Sequence, residues 1–193
     1  MTSRQLDASA ATDRRQDPTR FRIGDRVVYP SHGVARIIRR EKKTVRGDTS
    51  WYLVLEVPET GWGTMGGMIL SVPESTASSL GVREAISDEE AGEVLDLLKV
   101  RDARVPTNWS RRFKNHQEKL KSGDVYQCAE VVRNLAARLR DARLSAGEQA
   151  MYLRARALLV SELAVSWSTD SERANARVDE ALGLPRSALP KQR

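Results

Sequence analysis

Two hydrophobic periods divide this chain. From Phe21 to Pro73 apolar residues come in short β-branched runs broken by glycine turns, and from Ser87 to Leu182 they recur at three- and four-residue spacing. In the first region, Phe21-Arg22-Ile23-Gly24-Asp25 reads as a Gly-Asp turn entering a strand through Val27, Val28 and Tyr29. Ser31-His32-Gly33 is a turn, and Val34-Ala35-Arg36-Ile37-Ile38 is a second run. A turn around Gly47 leads to a third strand over Trp51–Val57. It places Tyr52, Val54 and Glu56 on one face and Trp51, Leu53, Leu55 and Val57 on the other. A glycine-rich loop over 58–67, containing Trp62, precedes a fourth strand, Met68–Val72, which Pro73 stops. Four or five short strands joined by tight turns predict a small, strongly bent β-barrel of the SH3-like or Tudor-like kind.

In the second region the capping signals are regular. Ser87 and Glu90 have capping-box spacing before Val94, Leu95, Leu97 and Leu98. Pro106 breaks the chain, and a second helix is predicted from about Asn108 to Lys121, before Gly123. Asp124 caps a third, with Val125, Cys128, Val131, Val132, Leu135 and Leu139 on its apolar side. Ser145 and Glu148 form another capping box and open the longest helix, through to Trp167. Thr169 and Glu172 repeat the signal before a last helix ending near Gly183. The fold class is therefore α+β: a small N-terminal barrel over residues 21–80, then a compact five-helix domain over 85–183. Residues 1–20 lack the large apolar groups of a core and read as a disordered tail, and residues 184–193, after Gly183 and with Pro185 and Pro190, read as a second tail.

Composition narrows the function. One cysteine among 193 residues excludes an internal disulfide and a cysteine-rich zinc site, and Cys128 reads as a buried inert thiol. No apolar run approaches a membrane span, and the N-terminus has no secretory apolar segment, so a soluble cytoplasmic protein is expected. Charge is uneven: residues 21–50 carry eight basic and three acidic side chains, residues 51–100 two and nine. Residues 101–121 carry seven basic side chains (Arg101, Arg104, Arg111, Arg112, Lys114, Lys119, Lys121) against Asp102 and Glu118. So local an excess points to a polyanion, most often nucleic acid. Within it, Trp109 stands directly before Arg111, Arg112 and Lys114 at a predicted helix start. Two readings stay open from the residues alone. The indole could insert between bases, or Trp109, Phe113 and Leu120 could form one buried helix stripe.

Signals for catalysis are weak. There is no G-x-x-x-x-G-K-[ST] phosphate loop and no G-x-S-x-G elbow. The two histidines, His32 in a barrel turn and His116 near the basic helix, have no acidic pair at zinc-ligand spacing. His32 reads as structural, and His116 as a surface residue or a DNA contact. The expectation is a non-enzyme without metal or cofactor.

The order of motifs resembles the CarD/CdnL family of bacterial transcription regulators. The matching residues are Phe21-Arg22-Ile23-Gly24-Asp25, Val27-Val28-Tyr29-Pro30-Ser31-His32-Gly33, Gly47, Tyr52-Leu53-Val54-Leu55, Val72-Pro73 and Gly81-Val82-Arg83. Further matches are Pro106-Thr107-Asn108-Trp109-Ser110-Arg111-Arg112, Ser122-Gly123-Asp124-Val125, Ala129-Glu130-Val131-Val132-Arg133 and Leu144-Ser145-Ala146-Gly147-Glu148. The resemblance implies a barrel that docks on the RNA polymerase β subunit, as the related domain of transcription-repair coupling factor does. It implies a helical domain that contacts promoter DNA at the upstream edge of the melted region. There Trp109 would wedge into the minor groove and stabilise the open complex, beside Arg111, Arg112 and Lys114. Polymerase-binding positions fall at Lys43, Arg46 and Ser71, where Ser71 replaces a basic residue of the family. Gln149 likewise stands at an expected basic position. A monomer is implied. Rival expectations are a peptide-binding adaptor that dimerises through its helices, and a nonspecific duplex-binding protein independent of polymerase.

Overall fold

The alternating runs pair as an antiparallel meander, ordered β1-β2-β3-β4, in a computed structural model that describes residues 21–30, 32–58, 67–101 and 108–184. The strands are β1 (Arg26–Tyr29), β2 (Gly33–Val45), β3 (Asp48–Val57) and β4 (Met68–Pro73). A register shift between Ile37 and Arg39 interrupts the β2–β3 ladder. Such a bulge adds local twist, and the sheet curls into a half-barrel. Its concave side buries Phe21, Val27, Ala35, Ile37, Leu53, Leu55, Val57 and Val72. The β3 faces fall as the alternation predicts, with two refinements. Val54, on the other face, is also fully buried, and Trp51 lies 41% exposed at the far end.

β2 runs well past the β-branched stretch at 34–38. Its polar half, Arg39 to Val45, is carried by ladder pairing with β3 rather than by burial. This half projects as an arm ending in a two-residue turn, since Val45 pairs with Asp48. Arg46 and Gly47 both have positive φ, 54° and 91°, the geometry whose twist matches that of the flanking strands.

After a 3₁₀ turn (Glu74–Thr76) come α1 (Asp88–Lys99), α2 (Trp109–Lys121), α3 (Val125–Asp141), α4 (Ala146–Ser166) and α5 (Ser171–Leu182). Both capping boxes form: the Ser87 and Ser145 hydroxyls accept from the amides of Glu90 and Glu148, whose carboxylates accept from the serine amides in return. Asn108 and Asp124 cap α2 and α3. The last helix departs by one residue from the expected Thr169 start. Asp170 is its cap, because its carboxylate reaches the Arg173 amide at 2.7 Å. Gly183 closes it with φ 62°.

α4 is the central helix. It is buried on several sides, with Tyr152, Ala155, Leu159 and Leu163 in the core shared with Val94, Leu98, Val132, Leu135 and Val178. It also carries three buried charges, and each ties down a different element. Glu148 binds Arg112 of α2 at 2.9 Å, and Arg156 binds Asp179 of α5 at 2.5 Å. Glu162 binds Arg83 of the β domain through both carboxylate oxygens.

The third of these ties belongs to a seam between sheet and helices. Arg83 also donates to the Gly123 carbonyl at 3.0 Å, while its backbone pairs with Val28 on the free side of β1. The Pro30 ring is held between Gly81 of the β domain and Gly123 of the α2–α3 turn. A Cβ would lie 2.5 Å from Pro30 Cγ at Gly81 and 3.0 Å from Pro30 Cβ at Gly123. Gly33 likewise lies against Leu158 of α4. Among the described residues no helix is long and apolar enough to cross a membrane. Residues 1–20 and 185–193, Trp62 and Arg104 lie outside the described residues, whereas Leu184, expected to begin the second tail, packs against the helical core.

Candidate nucleic-acid interface

α2 starts where the basic cluster meets its aromatic residue. The Asn108 side chain accepts from the Arg111 amide at 3.0 Å, which fixes the first turn. Trp109, in that turn, is 48% exposed. One of its faces stacks on Phe113, with centroids 5.2 Å apart and planes 22° apart. Phe113 and Leu120 continue inward against the helical core. Each of the two readings thus describes part of the stripe: its lower residues are packed, and its first indole stands off the helix end on an aromatic support. A stacked ring keeps its orientation yet leaves the other face open.

Six of the seven basic residues lie among the described ones, and they separate into two sets. Arg101 donates to the Leu182 carbonyl at the end of α5, and Lys119 pairs with Glu130 of α3. Arg112 is only 5% exposed. It turns into the domain and binds Glu148, so the expectation that it faces DNA gives way to a structural role. The reason is helical phase: Arg112 lies three residues from Trp109 and one before Phe113, on the flank that meets α4. Arg111, Lys114 and Lys121 remain exposed. Lys114 has only a loose contact, 4.0 Å, with Glu118. The positive helix-terminal dipole together with Arg111 and Lys114 favours an anion around Trp109, while Lys121 stands at the opposite end of the helix. Gln149 is exposed on α4.

His116 lies on the same inward flank as Arg112 and is 1% exposed, so it is neither a surface residue nor a DNA contact. Neither ring nitrogen has a hydrogen-bond partner among the described residues. Burial, then the charges of Lys119 and Arg112, push its pKa down to about 4, so the ring is neutral at pH 7. Burial alone would raise Glu148. Hydrogen bonds from Arg112 and Ser145 and the charge of Arg138 outweigh it and bring the carboxyl to about 2. Cys128 is buried, and burial pushes its thiol up to about 12, a protonated and unreactive state.

The sheet presents a different surface. Lys43 donates to Ser71 at 2.8 Å, pairs with Glu41 at 3.0 Å and lies over the Tyr52 ring. The Lys43 hydrogen bond, followed by Arg39, lowers the Glu41 carboxyl pKa despite an opposing desolvation. Lys43 and Ser71 therefore share one face, while Arg46 stands apart at the arm's tip. Trp51 lies under Arg40 at 4.5 Å and Lys42 at 5.0 Å. β4 ends the sheet, with Ile69 51% exposed beside Ser71. His32 Nδ1 donates to the Pro30 carbonyl of its own turn, 2.9 Å away, and the ring stacks on Tyr29, which fits a structural role. Among the described residues no three His, Cys, Asp or Glu side chains converge as a metal site.

The seam was not foreseen as a site. Pro30, Gly81, Arg83 and Gly123 all sit inside the motifs that carry the family resemblance, so the signal was present without a chemical meaning. Glu162, in an apolar run, had no such signal.

Comparison with known proteins agrees with this architecture. Residues 21–86 match the CarD-like/TRCF RID domain, and residues 93–179 match the CarD C-terminal domain. The chain is 28% identical over 145 residues to the Bacillus subtilis (strain 168) protein named "Putative transcription factor YdeB", covering 75% of this chain and 91% of that protein. The family is of transcription-factor type and not an enzyme family. With its polymerase-interacting type of β domain joined to the matching helical domain, the chain belongs to the CarD family of transcription regulators.

Proposed function

We propose that the protein docks on the RNA polymerase β subunit through its sheet and stabilises the open promoter complex by wedging Trp109 into the minor groove at the upstream edge of the bubble. The observation that carries this reading is the half-exposed Trp109 ring, backed by Phe113 and flanked by the outward Arg111 and Lys114. Arg112 is not among the DNA contacts, because Glu148 holds it inside.

The energetics favour a melted fork over intact duplex. Inserting an apolar ring at a base step costs a few kcal/mol of unstacking, and that cost falls where pairing is already lost. The difference shifts the closed–open equilibrium, about tenfold for each 1.4 kcal/mol. Arg111 and Lys114 add affinity with little sequence choice, since phosphate contacts are largely sequence-blind. Polymerase placement supplies the position. On the sheet, Lys43, Ser71 and exposed Ile69 lie beside the β4 edge, whose backbone groups suit strand addition or flat docking. Arg46 at the arm's tip is a second contact point. The protein acts as a monomer, without a cofactor, in the cytoplasm.

The test is the lifetime of a competitor-challenged open complex formed by holoenzyme and this protein. Trp109→Ala should shorten it about tenfold, while circular dichroism and capture by core polymerase stay unchanged. An unaltered lifetime refutes the wedge, and an unfolded variant makes Trp109 a core residue. Lys43→Glu should abolish capture and leave DNA binding by the isolated protein intact.

A further inference from the structure

A groove between α2 and α4 opens directly behind the Trp109–Phe113 stack. It encloses about 340 Å³ and is lined by Phe113, Gln117, Leu120, Lys121, Met151 and Arg154. That volume lies in the range of clefts that hold small molecules, about 300–1,000 Å³. We propose that this groove binds an unpaired nucleotide of a single DNA strand, leading away from the wedge. The inference rests on the wedge reading and adds a second DNA site to it.

Three features select this occupant. Phe113 belongs to both places: one face supports Trp109, and the ring reaches the groove over Gly147. A Cβ at Gly147 would lie 3.2 Å from Phe113 Cε2, so the glycine makes room for the ring. The charged residues of the lining, Lys121 and Arg154, are both cationic, which matches a phosphate on either side of a seated base. Leu120 and Met151 give an apolar floor, and the Gln117 amide can donate and accept, as a base edge requires without demanding one base. Aromatic contact with cationic flanks is the general chemistry of sequence-tolerant single-strand binding. Paired bases hide their faces, so duplex cannot use the groove. An acidic peptide would match the charge, but it would leave the continuity between groove and indole without a purpose.

The test uses the full chain and fluorescently labelled fork DNA, followed by anisotropy. One fork ends blunt at the junction, and a second carries a short thymidine overhang on one strand. The overhang should tighten binding about tenfold. Ala150→Glu, on the exposed groove wall, and Arg154→Ala should each remove that gain while leaving blunt-fork affinity unchanged. No gain from the overhang overturns the proposal, as does a gain that survives in both variants. Displacement by polyglutamate but not by thymidine oligomers would overturn it in favour of an acidic peptide. The two readings fail separately. If fork preference over duplex is lost in Trp109→Ala but the overhang adds nothing, the groove fails and the wedge stands. If fork preference is absent but the overhang gain depends on Arg154, the wedge fails and the groove stands.

Discussion

The sheet and the helical domain each expose a tryptophan among cations, and they treat it in opposite ways. On the sheet, Trp51 lies beneath Arg40 and Lys42, Arg40 reaches the buried Glu74, and Lys43 is held by Ser71 and Glu41. The cations there are fixed in place by hydrogen bonds, ion pairs and ring contacts. At the start of α2, Trp109 rests on an uncharged ring while Arg111 and Lys114 extend outward. A surface whose cations are held in place presents a protein partner with a defined shape. Cations that extend outward attract any polyanion, and that attraction depends on salt. Under the proposed function the same residue types would serve two kinds of recognition, and the deciding variable is whether their side chains are already held within the chain.

The sharpest way to break this contrast is to strip a partner from an internal cation. Glu148→Ala leaves Arg112 buried without its carboxylate and removes half of a capping box. It should cost about 3–5 kcal/mol in urea denaturation. If stability holds and DNA binding drops instead, Arg112 belongs with the outward set. Next, Gly123→Ala should cost about 1–3 kcal/mol, because the residue has φ 73° and its Cβ would press on Pro30. The same variant should make the connection between the domains susceptible to limited proteolysis, and an unchanged digest would mean the seam is not tight.

A smaller effect concerns acid. His116 has a folded pKa of about 4, below its ordinary 6.5, so the unfolded chain binds more protons between those values. Its contribution to stability is therefore complete above pH 6.5 and is lost as pH falls towards 4. Glu148, lowered from 4.5 to about 2, extends the loss below pH 4.5. Denaturation midpoints taken from pH 7 to 4 should fall, and His116→Phe should flatten the upper part of that curve. A flat parent curve would mean His116 is solvated. The smallest structural effect belongs to the outward set: Arg111→Glu should change stability by under about 0.5 kcal/mol. It should also reduce the salt dependence of DNA binding by about one unit of slope. An unchanged slope removes Arg111 from the contacts.

Much of this fold was legible because local chemistry dictated it. Alternation over Trp51–Val57 gave the strand faces, and Ser87, Asn108, Asp124 and Ser145 announced four helix starts with side chains that satisfy amides locally. What stayed hidden depends on which way a side chain turns. A run of basic residues has a net charge but no direction, so Arg112 looked equivalent to Arg111 although a single residue step, about 100° of helical phase, separates inside from outside. β2 ran on beyond its apolar residues because its partner strand, and not burial, held it. Buried ion pairs such as Arg83 with Glu162 join residues far apart in sequence, and no local pattern marks them. Trp109 was legible as a candidate, and its open face is a property of the fold.

The Pro30 ring, gripped by two residues that have no side chains of their own, makes the molecule a caliper. Under the proposed function its jaws would be the sheet edge and the indole, with their separation set where the proline is pinched. A bulkier residue at either grip would reset the gauge without touching a jaw. Promoters would then be measured with a different span by an unaltered set of fingertips.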